Sequence, residues 1–264
     1  MRRTASTLLL ALAIPALAAG ADARAWLVRA RQLYNQRHFA EAIAAADRAR
    51  LTPGLADAAD LVAARAYLER YRATAAEDDL EAARERLRRA DPLRFTPGER
   101  AEFIVGLGET LYFDDAFGAA AEMLGPALDG GVDLPPEARE RVVDWWASAL
   151  DRDARARPEA GRGAVYARIR ARMRDEVASH PGSASAAYWL AVASLGDGDP
   201  AGAWSAAEAA WARATLARDH GAALRADLDR FVLTALVPAR ARALTVAPDT
   251  VRDDWERFKT GWTK

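Results

Sequence analysis

The sequence predicts an all-α protein built from pairs of short helices, and three observations support this fold class. The chain is 51% hydrophobic, and much of that fraction is alanine, which favours helix and permits close helix–helix contact. β-branched residues are sparse, and no stretch shows the two-residue alternation of a strand. Small residues twelve positions apart recur along the chain within helix–turn–helix patterns.

The clearest pattern runs from Trp26 to Pro53, WLVRARQLYNQRHFAEAIAAADRARLTP. It predicts two amphipathic helices joined by a tight turn that contains His38, with the second helix ending before Pro53. The small residues Ala30 and Ala42, one on each helix, let the two backbones approach closely.

The same spacing recurs at two later places. Gly108 and Ala120 repeat it in EFIVGLGETLYFDDAFGAAAEMLGPAL, and Ala191 and Ala203 repeat it in AAYWLAVASLGDGDPAGAWSAAEAA. These segments predict two further helix pairs of the same register.

The gaps between these segments predict two less regular helix pairs. Ala83 takes the second-helix position of the first gap, although residue 71, twelve positions earlier, is a tyrosine. Ala149 and Gly161 are the twelve-apart pair of the second gap. The predicted helices of these gaps are at about 56–71, 79–90, 137–157 and 161–179.

This pattern resembles the tetratricopeptide repeat, which combines an aromatic residue, a small residue, a Leu or Tyr, an aromatic–x–x–Ala run and a closing proline. The second-helix positions are 41, 37, 41 and 42 residues apart. These spacings exceed the roughly 34 residues of the standard repeat and approach the roughly 40–47 of HEAT-type repeats, but the turn and aromatic pattern favours the former. The resemblance implies a right-handed α-solenoid of about five helix pairs over residues 24–218, with capping helices over 219–264.

The C-terminal part predicts two capping helices. One is expected at about 221–237 and is ended by Pro238. The other is capped by Asp249 and carries an apolar stripe at helical spacing. Stacked repeats leave an apolar end, which a terminal helix covers. The Gly- and Pro-rich link 125–136 is a possible bend. The stripe consists of Val251, Trp255, Phe258 and Trp262.

Residues 1–23 predict a cleavable signal peptide. Arg2 and Arg3 precede a short apolar run, and small residues offer cleavage after Ala18 or Ala23. An uncleaved anchor or a buried helix is the alternative, but the run is short for a bilayer span. The chain has no cysteine, which excludes a lipoprotein, disulfides and thiolate metal sites. The predicted location is the periplasm or the exterior of a bacterial cell.

The sequence predicts no catalytic, metal or cofactor site. The formal net charge of −1 argues against a general nucleic-acid binder. The histidines are expected at turns or helix ends, where they do not converge on a metal, and no hydrolase or nucleotide-binding motif occurs. Acidic pairs at predicted helix starts are explained as caps. The histidines are His38, His180 and His220, and the acidic pairs are Asp78-Asp79, Asp114-Asp115 and Asp253-Asp254.

Two residue patterns each leave two interpretations open. The alternating arginines from Arg168 to Arg174 form a positive helix face, which either binds an anionic partner or is balanced by Asp175, Glu176 and their neighbours. The eight tryptophans either fill the core between helices or line a pocket for an apolar ligand.

The resemblance implies a scaffold that binds a protein or peptide in a concave groove lined by first helices. A transporter accessory component with an aromatic pocket for an apolar ligand is the alternative. An enzyme would require a strongly shifted carboxylate or histidine in a cleft. The lysines by which some family members clamp a peptide carboxylate are absent, since Lys259 and Lys264 are the only lysines. The partner-binding residues that the resemblance implies are Arg31, Tyr34, Asn35, Glu109, Tyr112, Phe113, Tyr188, Val192 and Leu195.

Overall fold

The structure is a computed structural model that describes residues 13–129, 134–217 and 219–262. These residues are almost wholly helical and contain no strand, and the helices pack in adjacent pairs, which confirms the all-α prediction. The first twelve residues of the predicted signal peptide lie outside the described residues. The chain divides into two compact units, and the boundary follows Phe113.

Unit 1 ends at Phe113 and is built from helix pairs. The first pair is α1 with α2, the second is α3 with α4, and α3 also contacts α1, α2 and α5. Short 3-10 turns at Pro53–Leu55 and Pro92–Arg94 lead into α3 and α5. The helices of its described residues are α1 (Ala13–Asn35), α2 (Phe39–Arg50), α3 (Ala56–Thr74), α4 (Glu77–Arg89) and α5 (Pro97–Phe113).

Unit 2 begins at Asp114, so the boundary separates α5 from α6, the two helices of the predicted third pair. Each helix from α6 to α10 packs on the next, and α9 also contacts α7 and α11. The α-helices of its described residues are α6 (Phe117–Leu128), α7 (Pro136–Ala156), α8 (Arg162–Ser179), α9 (Ala184–Gly196), α10 (Pro200–Arg213), α11 (Ala222–Phe231), α12 (Val237–Leu244) and α13 (Pro248–Trp262).

Two of the predicted pairs of small residues lie at contacts between paired helices. Ala30 and Ala42 are fully buried in one core cluster of α1, α2 and α3. Ala191 and Ala203 are fully buried on α9 and α10, which pack together. A side chain no larger than a methyl group is what allows this close approach.

The predicted pair of Ala149 and Gly161 is wrong. Ala149 is fully buried on α7, but Gly161 is exposed in a 3-10 turn. The turn lies there because α7 continues to Ala156 and α8 begins only at Arg162. The buried side of α8 is therefore formed by larger side chains, namely Val165, Tyr166, Ile169, Met173 and Val177.

The predicted break at Pro238 is also wrong. Helical backbone continues from α11 into α12 because Val232–Leu236 form a π-helical turn. In that turn the Val237 N–H donates to the carbonyl of Val232, five residues earlier. Proline lacks an N–H and crowds the preceding turn of a regular α-helix. The wider π turn changes the hydrogen-bond register just before Pro238, and α12 therefore accommodates this proline near its start.

The C-terminal helix α13 begins at Pro248 and packs on α10 and α12. Trp255 is fully buried, and its ring meets Trp204 and Trp211 edge-on at centroid distances of 5.7 and 5.4 Å. The predicted apolar stripe is thus buried at its centre, whereas Trp262 at its end is 57% exposed.

Among the described residues, no individual helix has the length and apolar character to cross a membrane. Among these residues, one pair of helical segments, Ala222–Leu244 and Pro248–Trp262, reaches that length and apolar character when the two are taken together, and the pair is bent by 120° at the break between them.

We predict that Ala42→Trp destabilises unit 1, because an indole at this fully buried contact forces α1 and α2 apart. Overpacking of this kind costs about 1–3 kcal/mol in the free energy of unfolding. Ala44→Trp, an exposed position on the same helix, is the matched control and should leave that free energy within about 0.5 kcal/mol of the unsubstituted chain. Urea denaturation measures both, and equal effects would contradict the assigned contact.

Candidate functional site

The helices α1, α3 and α5 lie side by side in unit 1, since α3 contacts both α1 and α5. Side chains from all three helices meet around Arg65 on α3. We call this surface the Arg65 face and define it by Tyr34 on α1, Arg65 and Glu69 on α3, and Glu102 and Glu109 on α5. Two of these residues, Tyr34 and Glu109, are among the predicted partner-binding residues.

Arg65 holds the face together through contacts with both neighbouring helices. Its guanidinium lies 4.4 Å from the centroid of the Tyr34 ring, and its Nη1 is 2.7 Å from Glu102 Oε2. Burial by itself lowers the pKa of Arg65, but Tyr34, Glu102 and Glu109 raise it by more. The result is a raised pKa, so Arg65 carries a permanent positive charge while its side chain is only 22% exposed.

A second contact joins α1 directly to the start of α5. Arg31 forms an ion pair with Glu99. The other Glu99 oxygen accepts from the N–H and the hydroxyl of Thr96 at 3.0 and 2.9 Å. The Thr96 hydroxyl in turn accepts from the Glu99 N–H at 3.3 Å. This reciprocal pair is a capping box, so Glu99 both caps the start of α5 and ties that helix to α1.

The remaining predicted residues of unit 1 lie at helix ends. Asn35 is exposed at the last residue of α1. Phe113, at the end of α5, meets the Tyr71 ring of α3 edge-on at 4.7 Å, and Tyr112 meets Phe113 at 6.1 Å. The ends of α3 and α5 therefore carry a half-buried aromatic group.

The predicted residues of unit 2 all lie on α9. Tyr188 is half-buried, and its ring contacts Phe231 of α11 at 6.1 Å. Burial raises the pKa of Tyr188, and the carboxylates of Asp227 and other nearby residues raise it further. Val192 is only 9% exposed and offers little surface to a partner. Leu195 is half-buried near the end of the helix.

The sequence analysis does not identify Arg65 as a member of the face. Ala83 marks the second helix of this pair, but Tyr71, twelve positions earlier on α3, is not a small residue. Without that mark, no position of α3 could be assigned to the face. The signal in the sequence is that Arg65 is a basic residue on the helix between those that carry the predicted aromatic residue Tyr34 and the predicted acidic residue Glu109.

The arginine run on α8 is balanced by acidic residues, although not by the predicted ones. Arg168 and Arg170 form ion pairs of 2.6 Å with Glu122 and Asp197, respectively. The predicted partner Glu176 instead accepts two 2.7 Å hydrogen bonds from Arg139 of α7. These pairings favour the interpretation of a balanced helix face.

Most of the tryptophans pack in the core. Five of them are buried, and all five lie in unit 2. Trp145 and Trp146 are adjacent on α7 and therefore point about 100° apart. Only Trp146 is fully buried, as this separation predicts. A shallow cleft of about 510 Å³ at the junction of α12 and α13 has no aromatic residue in its wall. The buried tryptophans are Trp146, Trp189, Trp204, Trp211 and Trp255.

The histidines lie at turns or helix ends, as predicted. His38 precedes α2, His180 follows α8, and His220 has a left-handed backbone before α11. The acidic pair Asp253-Asp254 lies inside α13 and not at its start, so its predicted capping role is wrong. No cluster of potential metal ligands occurs in the part of the chain that the structure describes.

Comparison of the chain with protein-family models, with curated proteins and with solved structures finds no match. The proposals for function therefore depend on the chain's own residues.

The polar cluster of Tyr166, Asp151 and Arg155 in unit 2 allows the structure to be tested by the pH dependence of stability. The Tyr166 hydroxyl donates to Asp151 Oδ1 at 2.9 Å, and Arg155 pairs with the other oxygen. Burial, followed by the charge of Asp151, raises the pKa of Tyr166 above its ordinary value of about 10. The unfolded chain ionises first, so this contribution to stability is present below about pH 10 and is lost as the pH rises through the folded-state pKa.

We predict that Tyr166→Phe, which cannot ionise, makes the fall in unfolding free energy above about pH 10 shallower than in the unsubstituted chain. The lost hydrogen bond also lowers stability near pH 7 by about 1 kcal/mol. Urea denaturation across this pH range separates the two effects, because only the first changes with pH. A parallel pH dependence in both proteins would contradict the assigned environment of Tyr166.

Proposed function

We propose that this chain is a non-enzymatic, tetratricopeptide-like scaffold that binds a protein or peptide on the faces formed by its first helices. The observation that carries this proposal is the convergence on Arg65. Tyr34 on α1 packs against Arg65 of α3, and the charge of Glu109 on α5 raises the pKa of the same arginine, although Tyr34 and Glu109 were selected as partner-binding residues from separate repeats. A shared binding surface requires such a convergence.

The order of helix contacts supports repeats of this kind. In unit 1, α3 contacts α1 and α5, and in unit 2, α9 contacts α7 and α11, in addition to the partner helix of each pair. First helices that lie next to one another make a continuous layer. We propose that the pairs within each unit wind to the right and that the chain contains about five of them.

The chemistry of the Arg65 face suits recognition of another polypeptide. Tyrosine and arginine are over-represented among the residues that dominate binding energy. Tyr34 and Arg65 are already fixed by their stacking and by the Glu102 ion pair. Side chains that are ordered beforehand lose little conformational entropy when a partner binds.

The proposed place of action is the bacterial periplasm or cell exterior. The support is the N-terminal sequence, in which Arg2 and Arg3 precede an apolar run and small residues suited to signal cleavage.

The test is affinity capture from a bacterial envelope extract, followed by binding measurements with the captured protein after purification. We call Arg31→Ala with Asn35→Ala the face variant, because both residues are exposed, belong to the predicted set and lie beside Tyr34 on α1, within one helical turn of this member of the Arg65 face. The matched control is Arg29→Ala with Gln32→Ala, which changes two other exposed positions of α1.

We predict that the face variant binds at least about tenfold more weakly, the effect of one important interface residue. The control variant should bind like the unsubstituted chain, and thermal unfolding should show that both variants remain folded. A captured protein that binds both variants with unchanged affinity, or loses affinity equally for both, would contradict a partner site on this face.

A further inference from the structure

Three arginines of unit 1 converge on one buried carboxylate, that of Asp60 on α3. Its Oδ1 lies 2.8 Å from Arg86 Nη1, 3.0 Å from Arg50 Nε and 3.6 Å from Arg89 Nη2. Arg50 is the last residue of α2, and the other two arginines lie in the last turn of α4. Because all three guanidiniums approach the same oxygen atom, they are close neighbours in space.

Two of these arginines have donors that no acceptor in the described part of the chain uses. Arg50 donates to Asp60 through Nε at 3.2 Å, which leaves both of its Nη nitrogens without a hydrogen bond there. The 3.6 Å contact of Arg89 is longer than a hydrogen bond. The side chains of Arg50 and Arg89 are 38% and 37% exposed, and the Arg50 Nη nitrogens are not among the buried atoms that lack a partner. A ligand in solution can therefore reach these donors.

The charges of this network do not balance. Arg86 is satisfied, because it donates to Asp60 at 2.8 Å and to Asp47 at 2.6 Å. The ion pairs that extend from Asp60 within the described residues join four guanidiniums to three carboxylates, so one positive charge is in excess. The guanidiniums are those of Arg50, Arg86, Arg88 and Arg89, and the carboxylates are those of Asp47, Asp60 and Glu85.

Arginines in the last turn of a helix commonly stabilise its carbonyl end. Neither Arg50 nor Arg89 donates from its side chain to a carbonyl among the described residues, and both point to Asp60 instead. The helix-end role therefore does not account for their convergence. Asp60 holds two like charges side by side, an arrangement that suits a shared anion.

We propose that Arg50 and Arg89 form a binding site for a phosphate group. Because their contacting nitrogens lie beside one oxygen atom, both guanidiniums can donate to different oxygens of one phosphate, whose geometry suits their planar donors. Asp60 fixes the arginines before the ligand arrives, so little conformational entropy is lost on binding. This site lies on α2 and α4 and depends neither on the Arg65 face nor on the scaffold function.

The surface next to the arginines indicates which sources of phosphate to test. Leu51 directly follows Arg50 and is 82% exposed, and Leu93 lies four residues after Arg89 and is 87% exposed. Exposed apolar and basic side chains together suit a membrane surface with anionic headgroups. A soluble phosphate compound requires the arginines alone. Phosphate is the chemistry that these two sources share.

The test uses the full chain labelled with ¹⁵N, in which the backbone amide resonances at the ends of α2 and α4 are followed. Sodium phosphate and sodium acetate are titrated separately near pH 7, with sodium chloride at matched ionic strength as the reference. We predict a saturable shift of these resonances with phosphate, at a dissociation constant on the order of 1 mM or lower. Acetate should bind more weakly, because it has a single charge and only two oxygens.

Arg89→Gln should weaken phosphate binding at least about tenfold, because it removes a charge-assisted hydrogen bond. Arg50→Gln should have a similar effect, and in both variants Asp60 keeps its bond from Arg86. Arg88→Gln is the matched control, since it removes the same charge from the same turn but does not contact Asp60; it should bind nearly as tightly as the unsubstituted chain. Thermal unfolding shows which variants are folded. Arg89→Gln carries the test by itself if Arg50→Gln disturbs folding, since Arg89 makes no hydrogen bond within the described residues.

Sedimentation with phosphatidylglycerol vesicles, and with phosphatidylcholine vesicles for comparison, distinguishes the two sources. If phosphate binds and the chain also sediments with phosphatidylglycerol, and Arg89→Gln abolishes both, the ligand is a lipid headgroup. If phosphate binds but neither kind of vesicle does, the ligand is a soluble phosphate compound. Both results support the phosphate site.

Four results would overturn the proposal. They are the absence of a saturable response to phosphate, an equal response to chloride, binding that Arg89→Gln leaves unchanged, and an equal loss of binding in Arg88→Gln. Vesicle binding without any response to inorganic phosphate counts among the first of these, because general surface charge then explains it. Tighter binding of acetate than of phosphate would overturn the assigned ligand class.

Discussion

Close contact between paired helices at alanine positions is the constraint on which the rest of the structure depends. Ala30 and Ala42, and likewise Ala191 and Ala203, are fully buried on helices that pack together. Methyl groups at these points let the backbones approach, and the next first helix can then pack on the pair. The surface at Arg65 exists because α1, α3 and α5 come together in this way.

An alanine-rich contact buries little apolar area, so larger and charged groups complete the packing. Asp60 on α3 is buried and pairs with Arg50 of α2 at 3.0 Å and Arg86 of α4 at 2.8 Å. Removal of one member would leave an uncompensated charge inside the unit, which is strongly destabilising. These ion pairs join three successive helices, and the tryptophans of unit 2 perform the corresponding apolar role around Trp255.

The sequence is most informative where a contact has a fixed spacing. The distance from Ala30 to Ala42 follows from helix and turn geometry, so the pair and the adjacent Tyr34 were predictable. The twelve-residue spacing does not predict the helix contact where the turn changes length, as at Gly161. Local pattern likewise does not predict the π turn that accommodates Pro238. A contact with a residue from a distant segment of the chain cannot be predicted from the local sequence pattern.

The Arg65 face shows this limit directly. Glu102, which pairs with Arg65, is separated from it by 37 residues, as the sequence numbering shows. Likewise, no sequence pattern shows that the Trp255 N–H donates to Asp229, which lies on a different helix. The helical class and several binding candidates therefore follow from local pattern, whereas the arrangement of charges around them requires the folded chain.

The most direct measurement is a cross-link between α1 and α5, the outer two of the three first helices in unit 1. The chain has no cysteine, so Arg31→Cys with Glu99→Cys provides a unique pair for a short bismaleimide. The control is Arg29→Cys with Glu99→Cys, in which the first thiol leaves from another side of α1. Efficient intramolecular cross-linking of the first pair in the folded chain, with little in the control or in urea, is the predicted result. Equal cross-linking of both pairs, or none of the first, would show that the first helices do not converge on a common face.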